Sequence, residues 1–260
     1  MNIPKIGLGF WQIAQKDAKR IVKDGLACGY RHIDTAIVYN NEREIGEALK
    51  EVEIPREDIF ITSKIPAEIK NYDDAKKAIE LSLKSLQLEY LDLMLIHAPK
   101  PWSLMPFPGP RFKKGNIEVY RALMEARNEG KIKNIGVSNF KVKDMKNIID
   151  NTGDIPFANQ IRTHIGHVDR KTIQFCKDNN IIVEAYSPNG KGNLMSNPQI
   201  INMAKKYNVS PAQICIQYDL QLGTIPLPRS KSKKHIDENL NFNFTISDED
   251  IKILDKIKTL

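Results

Sequence analysis

GYRHIDTA, residues 29–36, is the stretch of this sequence that decides the fold. It contains a short apolar run that ends in Asp34, and Tyr39 follows five residues later. Two further apolar runs end in Lys64, 30 residues after Asp34, and in His97, 33 residues after Lys64. Because about 30 residues make one strand–helix–strand unit, we expect the three strand ends to be neighbours in space.

Short apolar runs alternate with amphipathic segments along nearly the whole chain. The runs predict strands at residues 6–11, 32–36, 59–64, 91–96, 132–137, 157–160, 181–185 and 223–227. Apolar spacing and capping residues predict helices between them, among others at residues 73–86, 210–220 and 247–258. This alternation is typical of parallel α/β folds, and it favours a closed (β/α)8 TIM barrel in a single domain, residues 1–260.

An open doubly wound sheet is the alternative architecture. Its dinucleotide-binding form carries a G-x-G-x-x-G motif after the first strand. Here Gly7 and Gly9 are followed by Phe10 and Trp11, whose side chains would block a close backbone approach. The sequence therefore favours the barrel.

The composition is that of an ordinary globular protein. The 260 residues are 41% hydrophobic and 27% charged, which is enough chain for a sizeable core. No apolar run approaches the roughly 20 residues of a membrane span, and residues 1–6 lack the pattern of a signal peptide. Cys28, Cys176 and Cys215 are too few and too scattered for a disulfide framework or a zinc cluster. We therefore predict a cytoplasmic protein with no membrane partner and no metal.

The net charge of +7 does not by itself indicate a nucleic-acid partner. Most basic residues are interspersed with acidic ones, as on solvated helix faces. The exception is the run at residues 229–234, which contains Arg229 and three lysines. A nucleic-acid site would need a broader basic stripe with interleaved aromatic residues. An anionic small molecule, such as a cofactor phosphate, fits this short run better.

The residues at the strand ends predict an enzyme. The active site of a TIM barrel lies at the carboxyl ends of its strands, so we expect Asp34, Tyr39, Lys64 and His97 in one pocket. The Lys64 ammonium would lower the pKa of the Tyr39 phenol, and Asp34 would keep a buried lysine charged. His97 would position a substrate oxygen. Together these groups predict protonation of a carbonyl oxygen while hydride reaches the carbon.

The segment from residue 98 to about residue 115 has no helical period. It contains five prolines, with Trp102, Met105 and Phe107 among them. Long loops inside a compact domain are usually functional, and this one begins directly after His97. We predict that it covers the substrate; a rigid, exposed connection is the alternative.

Four spaced motifs make the chain resemble the aldo-keto reductases over essentially its whole length. They are GYRHIDTA with Glu42 and Gly46 after it, ITSK, DLMLIH, and GVSNF at residues 136–140. The resemblance is to short microbial members, similar to diketogluconate and glyoxal-type reductases. It implies NADPH-dependent reduction of aldehydes or ketones, on a TIM barrel that binds the cofactor at its C-terminal face without a Rossmann fold. The family's catalytic tetrad corresponds to Asp34, Tyr39, Lys64 and His97.

The resemblance also implies a cofactor site and a substrate pocket. Ser138, Asn139 and Gln160 would bind the nicotinamide carboxamide, and Tyr186 would stack on the ring. Ser187 and residues 190–192 would approach the pyrophosphate. Arg229 and Ser230 would hold the 2′-phosphate, with His235, Glu238 and Asn239 near the adenine. Trp11 and Trp102 would line the substrate pocket.

Several positions depart from the family pattern. His235 replaces an arginine that helps to grip the 2′-phosphate, and an imidazole does not substitute for a guanidinium fork. We therefore expect a weakened preference for NADPH, with NADH as a second candidate. Arg162 replaces a glutamate beside the cofactor strand, and Asn189 replaces a leucine. The chain ends at Leu260, which implies an open and tolerant pocket; the family default is a monomer.

Two other functions stay open at this point. A catalytically weak nicotinamide-binding sensor or partner protein would keep the fold without useful turnover, although the complete tetrad argues against it. A metal-dependent hydrolase could use His32, Asp34, His97, His164 and His167. That site would lack the usual His-x-His pair, and Lys64 would repel the metal.

Overall fold

Parallel strands form one sheet in which each strand pairs with the next one along the chain. The computed structural model describes residues 3–104 and 112–258. The eight strands in these ranges are β1 (Leu8–Gly9), β2 (His32–Asp34), β3 (Phe60–Ile65), β4 (Leu91–Ile96), β5 (Ile132–Ser138), β6 (Ala158–Arg162), β7 (Ile182–Tyr186) and β8 (Ile225–Leu227). All seven neighbouring pairs are parallel.

Backbone hydrogen bonds join the two ends of this sheet. The Gly7 N–H donates to the Pro226 carbonyl oxygen at 3.0 Å, and the Gly9 N–H donates to that of Pro228 at 2.9 Å. Gly7 permits this approach, because a Cβ there would lie 2.6 Å from the Leu227 side chain. The sheet is therefore a nearly closed (β/α)8 barrel. The predicted fold is confirmed, and the open doubly wound alternative is wrong.

Helices surround the barrel. In the described ranges they are α1 (Gln15–Cys28), α2 (Glu42–Lys50), α3 (Tyr72–Leu86), α4 (Lys113–Asn128), α5 (Val142–Thr152), α6 (Arg170–Asp178), α7 (Pro198–Tyr207), α8 (Pro211–Gln221), α9 (Lys233–Glu238) and α10 (Asp248–Leu254). The capping box predicted for α8 is present: the Ser210 hydroxyl accepts from the Gln213 N–H, and the Gln213 side chain accepts from the Ser210 N–H. No helix of these ranges combines the length and the apolar character that a membrane crossing requires.

Some elements are shorter than the sequence suggested. β1 ends at Gly9 because the chain turns directly after it: the Ile13 N–H donates to the Phe10 carbonyl oxygen at 3.1 Å, and Gln12 has a left-handed backbone. α10 ends at Leu254 rather than at residue 258. In the predicted substrate loop, a 3-10 turn forms at Trp102–Leu104 and α4 begins at Lys113. Met105, Phe107 and three of the five prolines lie outside the described residues.

The barrel interior changes from apolar to polar along its axis. Side chains two residues apart on a strand face the same side. Phe60, Leu93 and Ala158 form an apolar cluster at the amino-terminal end of their strands. Further along the same faces, β3 carries Thr62 and Lys64, and the β4 face continues through Leu95 to His97 directly after the strand. The polar end is where the candidate site lies.

Candidate active site

Asp34, Tyr39, Lys64 and His97 lie together at the carboxyl end of the barrel. The Lys64 Nζ donates to Asp34 Oδ1 at 2.7 Å and to the Thr35 carbonyl oxygen at 2.6 Å. The same nitrogen lies 5.2 Å from the centre of the Tyr39 ring. The Tyr39 hydroxyl lies 3.5 Å from His97 Nε2. The structure thus brings the four predicted side chains into one cluster.

The barrel register explains why these residues meet. Asp34 ends β2, and Lys64 lies near the end of the adjacent strand β3. His97 directly follows β4, where its N–H donates to the Ile65 carbonyl oxygen at 3.1 Å. Tyr39 is the last residue of the 3-10 turn Ile37–Tyr39, which follows β2. Three neighbouring strand ends and one short turn therefore build the cluster.

Lys64 is fully buried and keeps its charge. Burial alone would lower the pKa of the ammonium, but the charge of Asp34, the Tyr39 phenol and the hydrogen bond to Asp34 together raise that pKa above its ordinary value. Lys64 and Asp34 are thus a buried ion pair, and the Thr35 carbonyl satisfies a second ammonium hydrogen.

The Tyr39 phenol holds its proton more tightly than the sequence suggested. Burial raises the pKa of the phenol above its ordinary value, and the Lys64 ammonium offsets only part of that rise. The Asp34 carboxylate raises the pKa further. The prediction that the pKa of the Tyr39 phenol is lowered is wrong for this arrangement, because the effect of burial is larger than that of one nearby cation. Tyr39 is a protonated hydroxyl, a group able to donate.

His97 is a neutral imidazole. Burial, and then the charge of Lys64, lower the pKa of the ring to about 3. Its Nε2 faces the Tyr39 hydroxyl, and its Nδ1 has no hydrogen-bond partner among the described residues. The ring packs edge-on against Trp102, with centroids 5.4 Å apart. A neutral ring in this position can donate one hydrogen bond to a ligand oxygen.

These groups open into a cavity of about 610 Å³, a volume typical of small-molecule sites. Asp34, Tyr39 and His97 contribute to its wall, and Lys64 lies behind them. The other predicted residues on this wall are Trp11, Trp102, Ser138, Asn139, Gln160, Tyr186, Ser187, Lys191, Gly192 and Arg229. The structure therefore gathers the tetrad, both tryptophans and the predicted carboxamide and stacking residues around one space.

Amide and hydroxyl groups form one side of the cavity. Asn139 Nδ2 donates to the His97 carbonyl oxygen at 2.9 Å and to Ser138 Oγ at 3.0 Å. The Tyr186 hydroxyl donates to Asn139 Oδ1 at 2.8 Å. The Gln160 Nε2 donates to two carboxyl groups, Asp34 at 2.7 Å among them. Because both hydrogens of that nitrogen are used, the Gln160 amide oxygen is the atom left to accept from a ligand.

The remaining predicted cofactor residues lie away from this wall. Ser230 follows the wall residue Arg229, and its hydroxyl donates to the Ser232 carbonyl oxygen at 3.3 Å. His235 is exposed on α9, Glu238 is half-buried at the end of that helix, and Asn239 is buried directly after it. Asn189 and Lys191 belong to the wall.

Sequence reasoning missed one residue of this site, Glu184, and one contact made by the predicted 190–192 segment. Lys191 extends over the Trp11 ring, with Nζ 5.0 Å from the ring centre. Glu184 is fully buried below the cavity and accepts from Gln160 Nε2 at 3.0 Å. The period of two on β7, which puts residues 184 and 186 on one face, was the signal that could have found Glu184.

The residues of the metal-hydrolase alternative are separated. His32 lies deep in the barrel, 3.0 Å from the Thr62 hydroxyl. His164 and His167 stack on each other after β6, with centroids 5.5 Å apart. In residues 3–104 and 112–258, no group of three or more His, Cys, Asp or Glu side chains is arranged to hold a metal ion.

Comparisons with known proteins agree with this geometry. The model of the aldo/keto reductase family matches residues 5–259. Glyoxal reductase of Bacillus subtilis (strain 168) is 37% identical over 262 residues, which cover 100% of this chain and 90% of the relative. The crystal structure of MGS-M4, an aldo-keto reductase from a Medee basin deep-sea metagenome library, matches this fold with a TM-score of 0.89 and 37% sequence identity. The match covers 98% of this chain and 91% of the MGS-M4 chain.

A third match comes from a solved complex. A mutant of Gox0644 in complex with NADPH has a TM-score of 0.89 and 34% identity, covering 99% of this chain and 90% of its own. The family model and these relatives thus extend over nearly the whole chain. This protein belongs to the aldo/keto reductase family of NAD(P)H-dependent oxidoreductases.

Proposed function

We propose that this protein reduces aldehydes or ketones to alcohols with NADPH, and that Tyr39 is the proton donor. The observation that carries the proposal is the position of the Tyr39 hydroxyl. It lies at the cavity wall, 3.5 Å from the neutral His97, with the Lys64 ammonium behind its ring. A protonated phenol between a cation and a neutral donor suits the delivery of a proton to a carbonyl oxygen.

The chemistry of the cavity wall fits a nicotinamide dinucleotide. Ser138, Asn139 and the free amide oxygen of Gln160 can bind a carboxamide, and the Tyr186 ring beside them can stack on a flat heterocycle. Arg229, exposed at the wall, can pair with a phosphate. When bound, NADPH supplies the hydride. Ser187, Ser230, His235, Glu238 and Asn239 are the further residues that we propose for its pyrophosphate and adenosine portions.

The chain's own residues handle the oxygen of the substrate. His97 donates a hydrogen bond that holds the carbonyl oxygen beside the Tyr39 hydroxyl. As negative charge develops on that oxygen, Tyr39 transfers its proton to it, and the Lys64 ammonium stabilises the phenolate that remains. Asp34 keeps Lys64 charged in its buried position. In this scheme the cluster stabilises one negative charge, which moves from the carbonyl oxygen of the substrate to the phenol oxygen of Tyr39.

We propose small carbonyl compounds as substrates, with dicarbonyls as the first class to test. The glyoxal reductase of Bacillus subtilis covers the whole chain at 37% identity. Trp11 and Trp102, both about one-third exposed, give the cavity apolar walls that exclude water from the reacting carbon. We further propose that a single domain carries this activity in a monomer.

The test is NADPH oxidation with glyoxal as the substrate, comparing the wild type with Tyr39→Phe. We expect the variant to lose at least about 100-fold in kcat, because the general acid is removed while the ring stays. Tyr72→Phe is the matched control, since Tyr72 is a half-buried tyrosine on α3, outside the cavity. It should react at the rate of the wild type.

Other outcomes would redirect the proposal. Equal rates for Tyr39→Phe and the wild type would remove Tyr39 as the proton donor. A wild type that binds NADPH yet turns over no aldehyde, ketone or dicarbonyl would favour the nicotinamide-binding sensor. Repeating the assay with NADH measures the preference between the two cofactors.

A further inference from the structure

A second buried carboxyl lies behind the tetrad, and the proposed reaction does not use it. Glu184 is the third residue of β7, two positions before the cavity residue Tyr186. Its register partners are Gln160 on β6 and Ile225 on β8. The side chain has 0% exposure. A carboxyl group without access to water needs a specific partner or a proton.

Gln160 connects this carboxyl to the catalytic ion pair. Its Nε2 donates to Asp34 Oδ1 at 2.7 Å and to Glu184 Oε2 at 3.0 Å. An amide nitrogen has two hydrogens, so each carboxyl takes one. The orientation of the Gln160 amide, and hence of the oxygen that faces a ligand, is therefore fixed by Asp34 and Glu184 together.

The charges around Glu184 do not balance a second carboxylate. The nearby ammonium of Lys64 is already paired with Asp34. On the other side, His32 Nε2 lies 3.4 Å from Glu184 Oε1. His32 cannot supply a positive charge, because burial and then the charge of Lys64 lower the pKa of its ring to about 3. The Thr62 hydroxyl, 3.0 Å from the same ring nitrogen, is neutral.

The carboxyl therefore retains its proton. Burial, and then the charge of Asp34, raise the pKa of Glu184 to about 8, and the opposing effects of Gln160 and Lys64 are smaller. Its Oε1 accepts no hydrogen bond among the described residues. A protonated Oε1 facing the His32 ring is the chemically reasonable state of such an atom.

We propose that Glu184 is a positioning residue that acts in its protonated form: its neutral carboxyl orients the Gln160 amide and leaves Asp34 as the single negative charge paired with Lys64. This inference rests on the proposed reductase function. If Glu184 lost its proton, a second negative charge would lie behind the tetrad and oppose formation of the Tyr39 phenolate. Carbonyl reduction would then decline as Glu184 ionises.

The kinetic test is kcat/KM for glyoxal at saturating NADPH, measured between about pH 6 and about pH 10. For the wild type we expect a fall of about tenfold per pH unit once Glu184 ionises. Glu184→Gln keeps a neutral amide of the same shape, so its kcat/KM should stay within about twofold of its plateau over the range in which the wild type falls.

Asp219→Asn is the matched control. Asp219, on α8, is also fully buried, and burial raises the pKa of its carboxyl well above the ordinary value. It lies outside the cavity wall, so its removal should leave the alkaline fall of the wild type in place. An identical fall in Glu184→Gln and in the wild type would overturn the proposal, because the titrating group would then be another residue.

An infrared titration tests the proton on Glu184 without turnover. In the Asp219→Asn protein, the C=O stretching band of a protonated carboxyl should be present near pH 6 and vanish as the pH rises. Adding Glu184→Gln should remove that component. A spectrum that Glu184→Gln leaves unchanged would also overturn the proposal. An absence of turnover at every pH would instead count against the proposed function, and the infrared titration would still decide the protonation of Glu184.

Discussion

At the scale of the residue, we propose that Arg229 and the side chain at position 235 set the choice of cofactor. Arg229 is exposed at the cavity wall, and His235 is exposed on α9. We expect His235→Arg to lower the KM for NADPH by about five- to tenfold, because a guanidinium adds a charge-assisted hydrogen bond to the 2′-phosphate. The KM for NADH, which lacks that phosphate, should not change.

Steady-state kinetics with both cofactors check this prediction. His235→Lys is a useful companion, since it adds charge without the planar fork and should give a smaller gain than arginine. Equal effects of His235→Arg on NADPH and NADH would contradict the role proposed for this position.

Residue types at strand ends could be predicted from the sequence, whereas the environment of each group could not. Lys64 and His97 were found because the successive intervals, 30 residues from Asp34 to Lys64 and 33 from Lys64 to His97, each match one barrel unit. The sign of the Tyr39 pKa shift was wrong, because it depends on how much burial competes with one cation. Glu184 was missed for the same reason: in the sequence it is one charged residue in a strand, and only three-dimensional contacts pair it with Gln160.

At the scale of the element, Gly46 sets how closely two helices approach. It lies on α2, and a Cβ there would be 2.1 Å from the carbonyl oxygen of Leu86, the last residue of α3. A backbone atom cannot move aside as a flexible side chain does. We expect Gly46→Ala to lower the free energy of unfolding by about 1–3 kcal/mol or more.

Urea unfolding of the variant measures this loss. Gly130→Ala is the control, because a Cβ at Gly130 meets nothing within 4 Å, although φ there is +77°. Gly130→Ala should lower the free energy of unfolding only through the strain of a left-handed alanine backbone, on the order of 1 kcal/mol. Equal losses in the two variants would mean that the approach of α2 to Leu86 is not tight.

Element boundaries show where prediction from sequence ended. The start of α8 followed from local chemistry, because the side chains of Ser210 and Gln213 cap its first turn. β1 was predicted too long because the turn after it is held by a distant partner, Asn41, whose Nδ2 donates to the carbonyl oxygens of Phe10 and Ile13. Local signals predict elements well; contacts between distant segments decide where some of them end.

At the scale of the whole molecule, buried titratable groups set the pH range of greatest stability. Burial lowers the pKa of His32 and of His97 from 6.5 to about 3. Below pH 6.5 the unfolded chain therefore binds protons that the folded protein does not. The stability contributed by these two rings is fully present above pH 6.5 and is lost as the pH falls toward 3.

Buried carboxyls act in the opposite direction. The pKa of Glu184 is raised from 4.5 to about 8, and that of Asp219 is raised well above 3.8. The ordinary pKa values, 4.5 and 3.8, apply to the unfolded chain, and the raised values apply to the folded protein. The stability that these carboxyls contribute is fully present below the ordinary values, and it is lost as the pH rises toward the raised ones. Between about pH 6.5 and about pH 8 the histidines no longer titrate, so each carboxyl that stays protonated in the folded state costs ~1.4 kcal/mol per pH unit.

We therefore expect the free energy of unfolding to be level between about pH 4.5 and about pH 6.5, where the two imidazoles and the two carboxyls have opposite slopes, and to fall as the pH rises to about 8. Urea unfolding at several pH values in this interval, for the wild type and for Asp219→Asn, measures the slope. The slope for Asp219→Asn should be smaller than that of the wild type by ~1.4 kcal/mol per pH unit, the contribution of one proton. The slope is the diagnostic quantity, because the absolute stability of Asp219→Asn also includes the cost of a buried amide. Identical slopes in the two proteins would show that Asp219 ionises in the folded state as it does in the unfolded chain, and that the alkaline loss comes from other groups.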